Sequence, residues 1–218
     1  MNTIDLGSRR LLLAGKPLPE AEQVLVLIHG RGSSNDEILS LSQYLYVDDF
    51  ALLAPQAPNG SWYPQSFLAP PLQNEPWLSS ALDFLGEIIL DLSKVGIHSE
   101  RIYWLGFSQG ACLTLEFAAR NAQKYGGIIA LTGGLIGDKL YVERYQGDFK
   151  QTKIFIGTNE PDPHVPTYRV LESVELLKKM NADVTLKVYP NLGHTTNEDE
   201  IREANAILSA NKLFTSAE

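Results

Sequence analysis

The residues best suited to do chemistry form the pentapeptide G-F-S-Q-G at residues 106–110. This G-x-S-x-G pattern follows an apolar run at residues 101–105 and leads into a helical pattern at residues 109–122. A serine on a sharp strand-to-helix turn needs neighbours without bulk, which the two glycines provide. Its hydroxyl then projects above the sheet, beside backbone N–H groups that lack an intrahelical partner. The pattern therefore predicts that Ser108 is a nucleophile.

A serine hydroxyl needs a base within hydrogen-bond reach, and the chain has four histidines. His194 follows the last predicted strand, at the same C-terminal edge of the sheet as Ser108, and is the predicted base. His98 precedes the strand that carries the serine and is expected to be a loop residue. His29 is expected to hold its own loop through hydrogen bonds, and His164 is retained as a weaker alternative base.

The base in turn needs a carboxylate that fixes its tautomer, and two acidic residues follow the strand predicted at residues 153–156. Asp162 is preferred to Glu160, because the prolines at positions 163 and 166 stiffen the turn that carries it. Taken alone, Asp162 has helix capping or a turn as its alternative role. Together with the serine and the histidine, it gives the chain order nucleophile, acid, base.

A glycine-rich turn supplies the expected binding site for a developing oxyanion. Residues 29–32 read H-G-R-G and follow the strand predicted at residues 24–28. Glycines let such a loop turn its N–H groups toward a substrate oxygen, so the backbone N–H groups of Arg31 and Gln109 are predicted to form an oxyanion hole. A plain tight turn is the alternative.

Short apolar runs alternate with amphipathic stretches, which predicts a mostly parallel sheet with helices on both faces. Strands are predicted at residues 24–28, 51–54, 101–105, 127–131, 153–156 and 184–189. Helices are predicted at residues 35–46, 77–95, 109–122, 167–180 and 198–213. The last strand alternates apolar and polar residues, which indicates a position near the edge of the sheet. Cys112 lies on the small-residue face of its helix and is expected to be a core residue, not a nucleophile.

The stretch at residues 56–76 interrupts this alternation. It holds five of the twelve prolines and several aromatic residues, which predicts an ordered loop that overhangs the site. Trp62, Tyr63 and Phe67 are therefore candidate substrate-binding residues, with anchoring of the loop to the core as the equal alternative. Trp77 is expected in the core.

Length and composition limit the other possibilities. The 218 residues are expected to form one domain spanning residues 1–218, and the formal charge of −8 argues against nucleic acid or an anionic membrane as a partner. The single cysteine cannot form an internal disulfide, so a cytoplasmic location is expected. Residues 8–13 are superficially similar to a twin-arginine signal, but their apolar stretch is too short. No apolar run is long enough for stable membrane insertion.

Four motifs carry a family resemblance: residues 27–32, 106–111, 162–166 and 193–194. The type, order and spacing of these motifs resemble those of the phospholipase/carboxylesterase branch of the α/β-hydrolases. The resemblance covers nearly the whole length of the chain. That group includes small bacterial carboxylesterases and acyl-protein thioesterases. The resemblance implies an α/β-hydrolase fold and a serine esterase with Ser108 as nucleophile, His194 as base and Asp162 as its orienter.

The expected activity is hydrolysis of a small-molecule ester, with a short to medium acyl or an aryl group, through an acyl-serine intermediate. This chemistry needs no metal or other cofactor, so none is expected. Two alternatives stay open: a lysophospholipase or acyl-thioesterase acting on long acyl chains, and a non-catalytic binding protein with the same fold. The side chain of Arg31 is expected either to contact the substrate or to point into solvent. A homodimer is one option for the oligomeric state.

Overall fold

The computed structural model describes residues 11–210, and its centre is a seven-stranded sheet with the order β1-β3-β2-β4-β5-β6-β7. β1 runs antiparallel to β3 and all other neighbouring strands are parallel, which confirms the predicted mostly parallel sheet. The strands are β1 (Leu11–Gly15), β2 (Gln23–Ile28), β3 (Phe50–Pro55), β4 (Ile102–Phe107), β5 (Gly127–Leu131), β6 (Lys153–Glu160) and β7 (Asp183–Pro190).

Helices cover both faces of the sheet, as predicted. They are α1 (Asn35–Leu39), α2 (Trp77–Lys94), α3 (Gln109–Arg120), α4 (Thr167–Lys179) and α5 (Glu198–Leu208). One apolar cluster packs α2, α3 and α4 against the sheet, and a second cluster packs α1 and α5 against the opposite face. Burial of apolar side chains on both faces is the main force that holds such a layered fold together.

The burial pattern of each strand follows its place in the sheet. β2 lies centrally, and its residues from Val24 to Ile28 are all buried, because helices cover both of its faces. β7 lies at the edge and alternates between exposed and half-buried residues, which confirms the edge position predicted from its sequence. The motifs at residues 29–32 and 106–110 therefore follow the buried strands β2 and β4, whereas His194 follows the edge strand β7.

Several boundaries differ from the sequence-based prediction. No strand was predicted at residues 11–15, yet β1 forms there by antiparallel pairing with β3. The helix predicted at residues 35–46 leaves α-helical geometry after Leu39 and continues as a 3₁₀ turn, Ser40–Tyr44. β6 runs on to Glu160, because all its residues from Lys153 to Glu160 pair with β7. Residues 8–10 of the arginine-containing segment and residues 211–213 of the predicted last helix lie outside the described residues.

Two side chains tested the core prediction with opposite results. Cys112 is buried on α3, as predicted, and burial raises the pKa of its thiol to about 12, so it is not a thiolate at neutral pH. The prediction for Trp77 was wrong, since its side chain is 52% exposed. The buried stripe of α2 begins one residue later, at Leu78, so the indole lies off the packed face. Within residues 11–210, no helix is both long and apolar enough to cross a membrane.

Candidate active site

Ser108 sits in a strained turn between β4 and α3. Its φ of 54° and ψ of −117° lie in a region that residues with a Cβ atom rarely adopt. The glycines on either side allow this geometry: a Cβ at Gly106 would collide with the carbonyl oxygen of Gly110, and a Cβ at Gly110 would collide with that of Ile28. The turn thus depends on the two glycines that the motif supplies, and it directs the hydroxyl out of the sheet edge.

The predicted base and acid meet the serine at this edge. Nε2 of His194 lies 2.7 Å from Oγ of Ser108, and Nδ1 lies 2.8 Å from Oδ2 of Asp162. An ionised carboxylate only accepts hydrogen bonds, so Nδ1 carries the proton and Nε2 is free to accept the serine hydroxyl. Phe107 and His164 contact the imidazole ring, with centroid separations of 5.4 and 5.0 Å. The ring is therefore fixed in both position and tautomer.

The side chain of Asp162 is buried, and both of its carboxylate oxygens accept hydrogen bonds. Its Oδ1 accepts bonds from the backbone N–H groups of His164 (2.7 Å) and Val165 (2.9 Å). Burial alone would raise the pKa of Asp162, but the bonds from His194 and from these two N–H groups outweigh burial and hold the pKa below its usual value. Glu160, the alternative acid, is exposed as the last residue of β6. Of the two candidates, only Asp162 contacts the histidine.

The loop that carries His194 is anchored from β6. The side-chain N–H of Asn159 donates to the carbonyl oxygen of Thr195 over 2.8 Å, and Gly193 adopts a φ of 70° that suits glycine. Asn159 is completely buried and Thr195 is exposed, so this bond ties the surface loop to the core of the sheet. The sequence pattern predicts that this strand ends at residue 156, so the role of Asn159 was not predicted.

The backbone N–H groups of Gln109 and Arg31, predicted to form an oxyanion hole, belong to the two turns next to Ser108. Gln109 is the first residue of α3, so its N–H has no intrahelical acceptor. Among the described residues, no hydrogen bond engages the N–H of either Gln109 or Arg31. The loop with Arg31 lies against the serine, because a Cβ at Gly30 would stand 3.5 Å from Cβ of Ser108. This pair of free donors can stabilise a negative oxygen on a carbon attached to Oγ.

His29 holds this loop, as its predicted role requires. It is completely buried; its Nε2 accepts from the backbone N–H of Ala57 (3.1 Å), so Nδ1 carries the proton and donates to the carbonyl of Gly30 (2.7 Å). Burial lowers the pKa of His29, although the Gly30 carbonyl opposes the effect. The imidazole is thus a neutral structural group, and it takes no part in proton transfer to Ser108.

The side chain of Gln109 ties residues 61–68, here called the wall segment, to the serine turn. Its Oε1 accepts from the backbone N–H of Trp62 (3.0 Å) and its Nε2 donates to the carbonyl of Tyr63 (2.8 Å). Nε1 of Trp62 donates to the carbonyl of His29 over 2.9 Å. The wall segment is therefore bonded to both loops that offer oxyanion donors. Only the backbone N–H of Gln109 was predicted to have a role, so these side-chain bonds were not expected.

A cavity of about 480 Å³ opens beside Ser108. Tyr63 and Phe67 line it, as proposed for substrate-binding residues, together with Leu68 and Val165. Trp62 does not line this cavity: it is 2% exposed and packs its ring 5.0 Å from that of His29. The described contacts thus give Trp62 the anchoring role that was its alternative. A separate cavity of about 500 Å³, lined by Trp62, Trp77 and Phe84, shares no residue with the first.

One buried carboxyl lies behind the site, at the start of α5. Glu200 accepts from the backbone N–H of Asn197 (2.9 Å), which in turn caps the helix with its own side chain. Its Oε1 lies against the backbone of Gly157 in β6 and has no hydrogen-bond partner among the described residues. Burial raises the pKa of Glu200 to about 7, with a further contribution from Asp199. This carboxyl therefore titrates near neutral pH.

Comparison with known proteins places this geometry in a family. The sequence model of the phospholipase/carboxylesterase family matches residues 15–212. The chain belongs to the phospholipase/carboxylesterase family. The crystal structure of a phospholipase/carboxylesterase from Dyadobacter fermentans superposes with a TM-score of 0.90 at 53% identity, covering 92% of this chain and 96% of that one. The family and the α/β-hydrolase fold predicted from the motifs are thus confirmed.

Among curated relatives, this phospholipase/carboxylesterase family member is similar to proteins named acyl-protein thioesterase 1. The protein from Kluyveromyces lactis is 28% identical, with 90% of this chain and 95% of that protein covered. The protein from Gibberella zeae is 36% identical, but the match spans only 52% of this chain and 49% of the relative, about half of its length. The family thus contains hydrolases of both oxygen esters and thioesters by name.

Proposed function

We propose that the chain is a serine carboxylesterase that hydrolyses short to medium acyl or aryl esters through an acyl-serine intermediate. The observation that carries the proposal is the 2.7 Å contact from Nε2 of His194 to Oγ of Ser108. A base this close to a serine hydroxyl, oriented by a buried carboxylate, is the arrangement that nucleophilic catalysis requires.

In the proposed reaction, Oγ of Ser108 attacks the ester carbonyl while its proton passes to Nε2 of His194. The carbonyl oxygen gains the negative charge, which the N–H groups of Arg31 and Gln109 stabilise. His194 then gives its proton to the leaving alcohol as the C–O bond breaks, and the acyl group stays on Ser108. Water deprotonated by the same imidazole attacks the acyl-serine and releases the acid. Asp162 stabilises the imidazolium in both halves.

The preference for shorter acyl groups rests on the cavity. Phe67 closes one side, with its ring against Gly134 and its carbonyl accepting from the N–H of Gly137 (2.7 Å). The buried side chains of Trp62 and Tyr63 fill the space beneath the wall segment. The neighbouring cavity is separate, so the two do not offer one long channel. An acyl chain held beside Ser108 therefore meets a boundary.

The second candidate is an acyl-thioesterase acting on long chains, and the names of the fungal relatives favour it. The same attack by Ser108 expels a thiol in place of an alcohol, so the described side chains suit both reactions. Phe67, Leu68 and Val165 give the cavity apolar surface for an acyl group of either length. Acyl length and leaving group distinguish the two candidates.

The deciding experiment has two parts. A fluorophosphonate probe should label the wild type and not Ser108→Ala, while the exposed Ser79→Ala on α2 serves as the matched control and should label normally. Rates are then compared for nitrophenyl butyrate, nitrophenyl palmitate and a palmitoyl thioester. Labelling of a folded Ser108→Ala variant would refute the nucleophile assignment. Faster turnover of the palmitoyl thioester than of the butyrate ester would favour the second candidate.

A further inference from the structure

The cavity beside Ser108 has an unusual charge for this protein. The chain carries a formal charge of −8, yet no aspartate or glutamate lines the cavity among the described residues. Its basic lining groups are the guanidinium of Arg31 and the imidazoles of His164 and His194. A permanent positive charge in a lining that has no carboxylate attracts anions, even when the rest of the surface repels them. The carboxylate of Asp162 lies behind His194, where it is buried and hydrogen-bonded.

The guanidinium of Arg31 is held at the rim by uncharged acceptors. It donates to the carbonyl oxygens of Pro64 (2.8 Å) and Gln65 (2.6 Å) and to Oγ of Ser61 (3.2 Å). No carboxylate in the part of the chain that the structure describes forms an ion pair with it. Since a guanidinium has five N–H donors, two remain after these three bonds. The charge is thus fixed in place but not neutralised.

The position of Arg31 links this charge to the reaction. Its backbone N–H belongs to the proposed oxyanion hole, so its side chain starts from the loop that faces Ser108. These three hydrogen bonds hold the wall segment in place, but an uncharged donor side chain could hold it equally well. A positive charge at the mouth of the cavity contributes most to binding when the ligand carries a negative group, because a charge-assisted hydrogen bond then forms.

We propose that Arg31 binds a carboxylate carried by the substrate, so that the preferred substrates are esters with a second, ionised carboxyl group. This inference rests on the proposed ester hydrolysis and specifies its substrate class. The carboxylate belongs either to the acyl part, as in a half-ester of a dicarboxylic acid, or to the alcohol part. Both sources present the same chemistry to Arg31, and the test separates them.

The test compares each anionic ester with a neutral analogue of nearly the same shape. The acyl pair is monoethyl glutarate and its carboxamide analogue. The alcohol pair is the butyrate ester of para-hydroxybenzoate and that of para-hydroxybenzamide. For one of the pairs we expect kcat/KM to favour the carboxylate by about tenfold or more, the usual range for a charge-assisted hydrogen bond. Raising NaCl from about 0.05 M to about 0.5 M should reduce the preference, because Arg31 is exposed.

Variants of Arg31 distinguish binding of a carboxylate from a purely structural role in holding the wall segment. Arg31→Met should abolish the preference for the carboxylate, and Arg31→Lys should retain part of it, because lysine keeps the charge without the fork. Lys178→Met, on the exposed surface of α4 and away from the cavity, is the control and should leave the ratio unchanged. A purely structural role of Arg31 would lower the rates of both members of a pair alike and leave their ratio as in the wild type.

Each outcome decides the proposal. Hydrolysis of the neutral esters without preference for either carboxylate would overturn the role of Arg31 while leaving the esterase intact. A preference that survives in Arg31→Met would overturn it as well. Failure to hydrolyse any of the four esters, together with no fluorophosphonate labelling of Ser108, would overturn the esterase and the anion preference with it.

Discussion

Glu200 makes the stability of the fold depend on pH in an unusual direction. Most buried carboxyl groups with partners have lowered pKa values, and folding then weakens in acid. Burial raises the pKa of Glu200 from 4.5 to about 7, so the folded state binds its proton more tightly than the unfolded chain does. The contribution of this group to stability is therefore complete below about pH 4.5, and it is lost as pH rises through about 7.

The size of the effect follows from the shift of the pKa. One unit corresponds to about 1.4 kcal/mol, so a change from 4.5 to about 7 gives about 3 kcal/mol in total. Most of it, about 2 to 3 kcal/mol, is lost between pH 5 and pH 8. The variant Glu200→Gln resembles the protonated form at every pH. Relative to this variant, the wild type should therefore become less stable by that amount across the interval.

Urea unfolding at pH 5, 6, 7 and 8 measures the difference. With a typical slope, the gap between the unfolding midpoints of wild type and Glu200→Gln should change by about 1 M over this range. Glu198→Gln, exposed in the same first turn of α5, corrects for the loss of a carboxylate near the helix N-terminus. A constant difference between the urea midpoints of the wild type and Glu200→Gln from pH 5 to pH 8 would refute the reasoning.

Two further predictions concern the site itself. Asp162→Asn should lower kcat for nitrophenyl butyrate by about 10⁴-fold with little change in KM, because the amide stabilises the wrong tautomer of His194 and cannot balance its charge; a loss of less than tenfold would contradict the role of Asp162. Trp62→Phe removes the indole N–H that donates to the His29 carbonyl together with part of a buried ring; it should cost at least about 1 kcal/mol of stability, measured by thermal unfolding, and should lower kcat. Wild-type stability and kcat in Trp62→Phe would show that this bond does not position the loop.

Much of the fold follows from apolar patterns along the chain. β2 from Val24 onward and all of β5 are apolar runs, so their burial on both faces was predictable, and the alternation in β7 indicated an edge strand. β1 was not predicted, because its short apolar run at residues 11–14 was considered only as part of a possible signal segment. The run forms a strand by pairing with the edge of β3, and a local pattern does not show which edge is available.

The site divides in the same way. Ser108, Asp162 and His194 were predictable, because each stands beside a turn signal at the end of a strand and the fold brings those ends together. The hydrogen bonds from the Gln109 side chain to the wall segment were not predictable, because no local sequence pattern shows that a side chain bonds to a distant part of the backbone. His164 was considered as a base, whereas its ring packs against that of His194 and lines the cavity. That His164 lies only two residues after Asp162 was the sequence signal that could have predicted its place beside His194.

The bonds from Gln109 and Trp62 to the wall segment limit how this enzyme can diversify. A mutation that reshapes the backbone of the wall segment also shifts the proposed oxyanion donors, so a change in substrate specificity should also change the rate. Leu68 offers a way around this coupling, because it lines the cavity with a side chain that forms no hydrogen bond. New substrate ranges in evolution or in the laboratory should therefore arise first at such apolar positions, with Gln109 and Trp62 left untouched.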